Sequence, residues 1–114
     1  MSTVRARCQT DSMHTIRLGP PWSATATDTG TVHARKFGTP RALGASERVW
    51  LVCARVPGAA AVSLNGEQLG ALTEAGPFAA DITDALRARN EISFTVSNSE
   101  PLGPVALEIR SAEL

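Results

Sequence analysis

Short apolar runs with period-two alternation recur along the chain, and no segment sustains a helical period. The clearest is "NEISFTVSN", where Ile92, Phe94 and Val96 alternate with Ser93, Thr95 and Ser97, the pattern of a strand with one face buried and one wet. The final run repeats it with Val105, Leu107 and Ile109. "ERVWLVCARV" places Val49, Leu51 and Cys53 on one side and Trp50, Val52 and Ala54 on the other. Upstream, His14–Leu18 reads as a strand stopped by "GPP", since prolines cannot continue a ladder. "SATATDTG" reads as a loop or an irregular edge strand, and "TVHARKF" as a further strand.

Turn signals separate these runs. "AVSL" leads into Asn65-Gly66, a dipeptide suited to the positive φ angles of a type I′ turn, so "EQLG" should return antiparallel. Phe78, Ala80 and Ile82 share one face, and Thr83 is the expected N-cap of one helical turn near residues 83–87. Seven or eight short strands without a long helix predict an all-β, antiparallel β-sandwich. Residues 1–12 carry no periodicity and read as a flexible leader before a single domain over 13–114. The ordered pattern begins at Met13, which makes it a candidate natural start beside Met1.

Composition narrows the function classes. The 114 residues suit one core. Apolar residues make up 43% and charged residues 19%, with eleven basic residues balancing eleven acidic ones, so no global field recruits nucleic acid or an anionic membrane. No apolar run approaches the roughly 20 residues of a membrane helix. A secretory pattern is missing from "MSTVRARCQTDSM", and Cys8 and Cys53 fall in a polar leader and an apolar strand. The expectation is a reduced, cytoplasmic protein.

Catalytic and metal chemistry find little to work with. His14 and His33 are the only imidazoles, neither in a nucleophile-base motif. Asp81 and Asp84, three residues apart across a turn, read as capping groups. Asp28, Glu74 and Glu100 stand apart, whereas Ca²⁺ takes six to eight oxygen ligands. The expectation is no catalytic residue, no metal and no cofactor.

Order and spacing carry a resemblance. Arg35, Phe37 and Pro40 are followed by Arg48-Val49, then by Val62, Leu64, Asn65, Gly66 and Gly70. Phe78, Asp81, Ile82, Thr83, Leu86, Asn90 and Ile92 complete the series. Over residues 31–97 this resembles the N-terminal sugar-binding domain of glycoside hydrolase family 2 enzymes, a jelly roll of the galactose-binding-like class. The resemblance implies a non-catalytic module, because the family's catalytic groups sit in a separate barrel. It also implies a carbohydrate ligand, for which Trp22, His33, Arg35 and Trp50 are the candidate residues, although a chain with no Tyr and two Trp is sparse in sugar-stacking rings. The alternative is a structural or protein-interaction module. Trp50 and Val52 are its interface candidates, since Trp50, Val52 and Ala54 leave the outer side of their strand apolar. Either the leader, "PPWSATATDTG" or the C-terminal "SAEL" covers that side, or a second subunit does.

Overall fold

The structure, a computed structural model, describes residues 13–39, 44 and 46–111. The leader and residues 112–114 therefore lie outside the described residues. Nine strands follow in order: β1 (Met13–Arg17), β2 (Ser23–Thr27), β3 (Gly30–Gly38), β4 (Glu47–Val56), β5 (Ala60–Leu64), β6 (Glu67–Leu72), β7 (Gly76–Asp81), β8 (Arg89–Val96) and β9 (Val105–Ser111). They form two antiparallel sheets, β1-β9-β4-β7 and β2-β3-β8-β5-β6. With β2 set aside as an added edge strand, the other eight make the two four-stranded sheets of a jelly roll. The expected all-β sandwich is the fold.

The core lies between the sheets, where alternation from both faces meets. Val49, Leu51 and Cys53 from β4 and Leu107 and Ile109 from β9 face Val62, Leu64, Ile92, Phe94 and Val96. Phe94 sits at the centre, fully buried, with the Trp22 ring 6.2 Å away and the Phe78 ring 6.5 Å away. Aromatic pairs at such tilted and edge-on angles add to the burial of the rings themselves.

Two bulges break the period of two. Between Cys53 and Val56, β4 carries one residue more than β7. Arg55 is thereby turned to solvent and Val56 into the core. In β6 the extra residue is Leu69, beside the Val62–Gly70 pair, and Leu69 packs on the core as a result. Asn65 (φ 53°) and Gly66 (φ 87°) form the expected tight turn between β5 and β6.

The short helix is a 3-10 turn, Thr83–Ala85, and Thr83 does not cap it: the N-cap is Ile82, without a side-chain bond. The Thr83 hydroxyl instead accepts the Val49 N–H at 2.7 Å and reaches Asp81 Oδ1 at 2.7 Å. An amide of the adjacent strand β4, 34 residues away in sequence, wins the hydroxyl over the local helix terminus. Nor does "PPWSATATDTG" cover the outer side of β4, because Ser23–Thr27 joins the opposite sheet.

Candidate functional site

The sandwich is open along the edge where β1 and β2 lie. Every residue of β2 is exposed, and on β1 even Ile16, opposite Leu107, remains 40% exposed. The inner positions of β2 are Ala24 and Ala26, paired with His33 and Thr31, too small to close the gap between the sheets. The corner between β1 and β2, residues 18–22, folds into this edge. It is fastened by Leu18 N–H to the Val105 carbonyl at 2.9 Å and by Trp22 Nε1–H to the Leu18 carbonyl at 2.8 Å.

Trp22 divides two hollows. On one side Trp22, Ser23, Arg35, Lys36 and Glu91 line a space of about 420 Å³. Arg35 is held there by donation from Nε to the Gly19 carbonyl and from Nη1 to the Lys36 carbonyl. Lys36 and Glu91 stand directly opposite each other across β3 and β8. This space adjoins a groove of about 570 Å³ that Lys36 and Glu91 also line, together with Asn65 and Arg89. On the other side of the indole, Leu18, Trp22, Ala24, His33, Leu102 and Val105 line a cavity of about 500 Å³. His33 is 8% exposed, and its Nε2 has no hydrogen-bond partner among the described residues.

The structure thus brings Trp22, His33 and Arg35 to one edge and places Trp50 elsewhere. Trp50 stands on the outer surface of the opposite sheet, flanked by Asp81 and Glu108. The Arg110 guanidinium lies over its ring at 4.5 Å, fixed by Glu108 at 2.6 Å, a cation–π arrangement that half-buries the indole. Val52, the next outward residue, sits between Ala79 and Ala106. Lys36 and Glu91 at the edge groove were not among the residues singled out from sequence. Their only signal was polarity at outward strand positions, which any solvated face shares.

The remaining candidate groups are engaged or dispersed. Asp81 takes Arg48 at 2.9 Å and both the amide and the hydroxyl of Thr83, while Asp84 meets the same Arg48 at 3.3 Å. Burial alone would raise the Asp81 carboxyl, yet the hydrogen bonds from Arg48 and Thr83 and the charge of Arg48 outweigh it and hold the group below the usual carboxylate range. Cys53 is a free thiol, 1% exposed and pushed up by burial; Cys8 lies outside the described residues. Among the described residues no three His, Cys, Asp or Glu side chains gather as a metal site, and no helix is long and apolar enough to cross a membrane.

The sequence matches no protein-family model and no curated protein. The fold does match solved structures. A Bifidobacterium dentium β-glucuronidase complexed with coumarin-3-O-glucuronide aligns over 91% of this chain with a TM-score of 0.76 and 17% identity. An uncultured Clostridium β-glucuronidase aligns over 91% at 0.75 and 15%, and a Dictyoglomus thermophilum β-D-glucuronidase over 91% at 0.74 and 12%. This chain spans 31%, 30% and 29% of those three chains, respectively. At these identities the likeness is one of fold, and it agrees with the resemblance read from residues 31–97: the chain has the β-sandwich fold of an N-terminal domain of glycoside hydrolase family 2 enzymes.

Proposed function

We propose that the chain is a non-catalytic, galactose-binding-like module that binds carbohydrate in the hollow beside Trp22. The observation that carries this reading is the juxtaposition of the Trp22 ring and the Arg35 guanidinium in one open space, each already fixed by a bond to the backbone. An aromatic face suits the C–H surface of a sugar, and fixed donors lose little freedom on binding. Lys36 and Glu91 add a donor and an acceptor for hydroxyl groups. The non-catalytic part rests on the dispersal of the reactive groups: His14 is exposed on an edge strand, His33 is buried, and Asp81 is engaged by Arg48 and Thr83. A reduced, cytoplasmic setting belongs to the same reading and fits the free thiol of Cys53.

Calorimetry against simple sugars tests it. Saturable binding at up to millimolar concentration is expected, weakened about tenfold by Arg35→Gln, the loss of a charged hydrogen bond. A flat response to every sugar overturns it.

A second reading, self-association, is favoured by the outer side of β4, where Val52 is bordered on both sides by alanine and Trp50 follows. Light scattering over a concentration series should then show a dimer that Trp50→Ser dissociates. A wild-type chain that is monomeric throughout ends this reading.

A further inference from the structure

Four strands end the two sheets, β1 and β7 in one, β2 and β6 in the other. An edge strand shows unpaired main-chain groups that template another strand, and charge, proline or a bulge normally blunts it. β1 carries His14 and Arg17, β6 carries Glu67 and the bulge at Leu69, and β7 carries Pro77 and Asp81. β2 has no charge, no proline and no break in its register with β3. The ladders show which of its groups point outward. Ser97 N–H bonds to the Ala59 carbonyl and the Glu91 carbonyl accepts from Asn65, so odd residues of β8 aim their main-chain groups at β5 and even ones at β3. Thr31, opposite Val96, therefore faces β8; Val32 faces β2, and Thr25 opposite it faces β3. Ala24 and Ala26 are left with N–H and C=O pointing away from the sheet.

We propose that β2 pairs with β2 of a second copy, antiparallel about a twofold axis through Thr25. This register sets Ala24 opposite the partner's Ala26, and Ala26 opposite the partner's Ala24, so the outward groups at both positions meet. A second copy is the occupant because the strand is complementary to itself. Reversed, Ser23–Thr27 presents the same alternation of hydroxyl and methyl side chains. Thr25 meets the partner's Thr25, and Ser23 the partner's Thr27, on the solvent face, and such hydroxyl pairs stabilise neighbouring strands. Charge agrees with this register. Asp28, exposed just past one end of β2, is carried to the far end of the partner's strand, where Arg35 stands one residue beyond the Ser23–Ala34 pair. The same open side also holds Ile16 on β1, the one large apolar side chain exposed among the described residues. A twofold contact of this kind is closed, so it caps both edges and does not propagate.

Light scattering of the full chain over a concentration series should show a dimer, with hydrogen exchange at the Ala24 and Ala26 amides slowing as the concentration rises. Ala26→Pro removes an outward N–H and leaves the β3 ladder intact, so it should abolish the dimer. Thr25→Lys and Thr25→Glu each set like charges opposite one another and should each weaken association about tenfold, whereas an equimolar mixture of the two should recover it. Trp50→Ser, on the other sheet, should leave the dimer in place, which separates this contact from one through β4. The proposal is overturned by a chain monomeric throughout, by a dimer that Trp50→Ser dissociates, or by one that the Thr25 variants leave unchanged. Slow exchange at Ala24 and Ala26 that is independent of concentration overturns it too, since the edge would then be covered from within the chain. The charge exchange at Thr25 acts on an exposed side chain, so it decides the matter even where Ala26→Pro fails to fold.

Discussion

The side-chain amides of Asn65 and Asn90 meet across 3.1 Å, Nδ2 of the first donating to Oδ1 of the second. Asn65 is the first turn residue of the β5–β6 hairpin, and its own Oδ1 accepts the Glu91 N–H at 2.9 Å. Asn90, only 3% exposed, also accepts the Arg87 N–H at 2.8 Å and donates to the carbonyls of Arg87 and Phe37. One buried amide thus ties the hairpin turn, the segment after the 3-10 turn and the end of β3. Satisfied networks of this kind specify an arrangement as well as stabilise it.

Removing Asn90 should therefore cost more than the bonds themselves. In Asn90→Ala the Arg87 N–H and the carbonyls it served lose their partner in a place water reaches poorly, at a cost of about 1–3 kcal/mol. Asn90→Asp keeps the acceptor but sets a carboxylate against two carbonyl oxygens, so it should not rescue. Thermal melts of both variants check this, and a wild-type melting temperature in either would refute it.

The core makes an equally local prediction. Phe94 is fully buried between two aromatic rings, and Ser93 beside it belongs to the outward face. Phe94→Ala should cost about 3–5 kcal/mol, whereas Ser93→Ala should stay within about 0.5 kcal/mol of neutral. Denaturant unfolding measures both; comparable losses would mean that the register of β8 is wrong.

Those two neighbours also mark how far the sequence was legible. The alternation Ile92, Phe94, Val96 is a local property of an extended chain with one buried side, so it can be read without knowing the partner strand. Asn65-Gly66 is local in the same way. Val56 is not, because it reaches the core only through a bulge whose extra residue is defined against β7. Thr83 carried a local signal for capping that a distant amide, that of Val49, overrode. The candidate site was legible in part: Trp22, His33 and Arg35 converge, but only the folding of residues 18–22 against the open edge shows it, and Trp50 ends on the other sheet because β4 turns it outward.

Two glycines should fail for different reasons when replaced. A Cβ on Gly66 would meet nothing within 4 Å, yet the residue holds φ +87°, so Gly66→Val should cost about 1–3 kcal/mol in backbone strain alone. A Cβ on Gly30 would lie 1.8 Å from the Val96 carbonyl oxygen, which the β3–β8 ladder cannot yield without parting. Gly30→Ala should accordingly destabilise more than Gly66→Ala, by chemical denaturation. The reverse order would contradict the close approach of β3 to the end of β8.

The last prediction concerns acid. Asp81 anchors the corner between β7 and the 3-10 turn, bonded to Arg48 and to both polar groups of Thr83, whose hydroxyl in turn holds the Val49 amide. Its carboxyl sits below the usual carboxylate range in the folded chain, burial being outweighed by those bonds. The unfolded chain then binds the proton more readily, so ionised Asp81 stabilises the fold above the unfolded carboxylate value of about 3.9. That contribution is lost as the pH falls through the lower folded value. The carboxylate faces solvent on one side and Arg48 is 38% exposed at its side chain, so the effect is modest and screened by salt. Melting temperatures at about pH 6 and about pH 3 should fall further for the wild type than for Asp81→Asn. Asn cannot titrate, and it starts lower because the ion pair with Arg48 is gone. Parallel acid losses in the two proteins would assign the acid sensitivity to other carboxylates and remove Asp81 from the account.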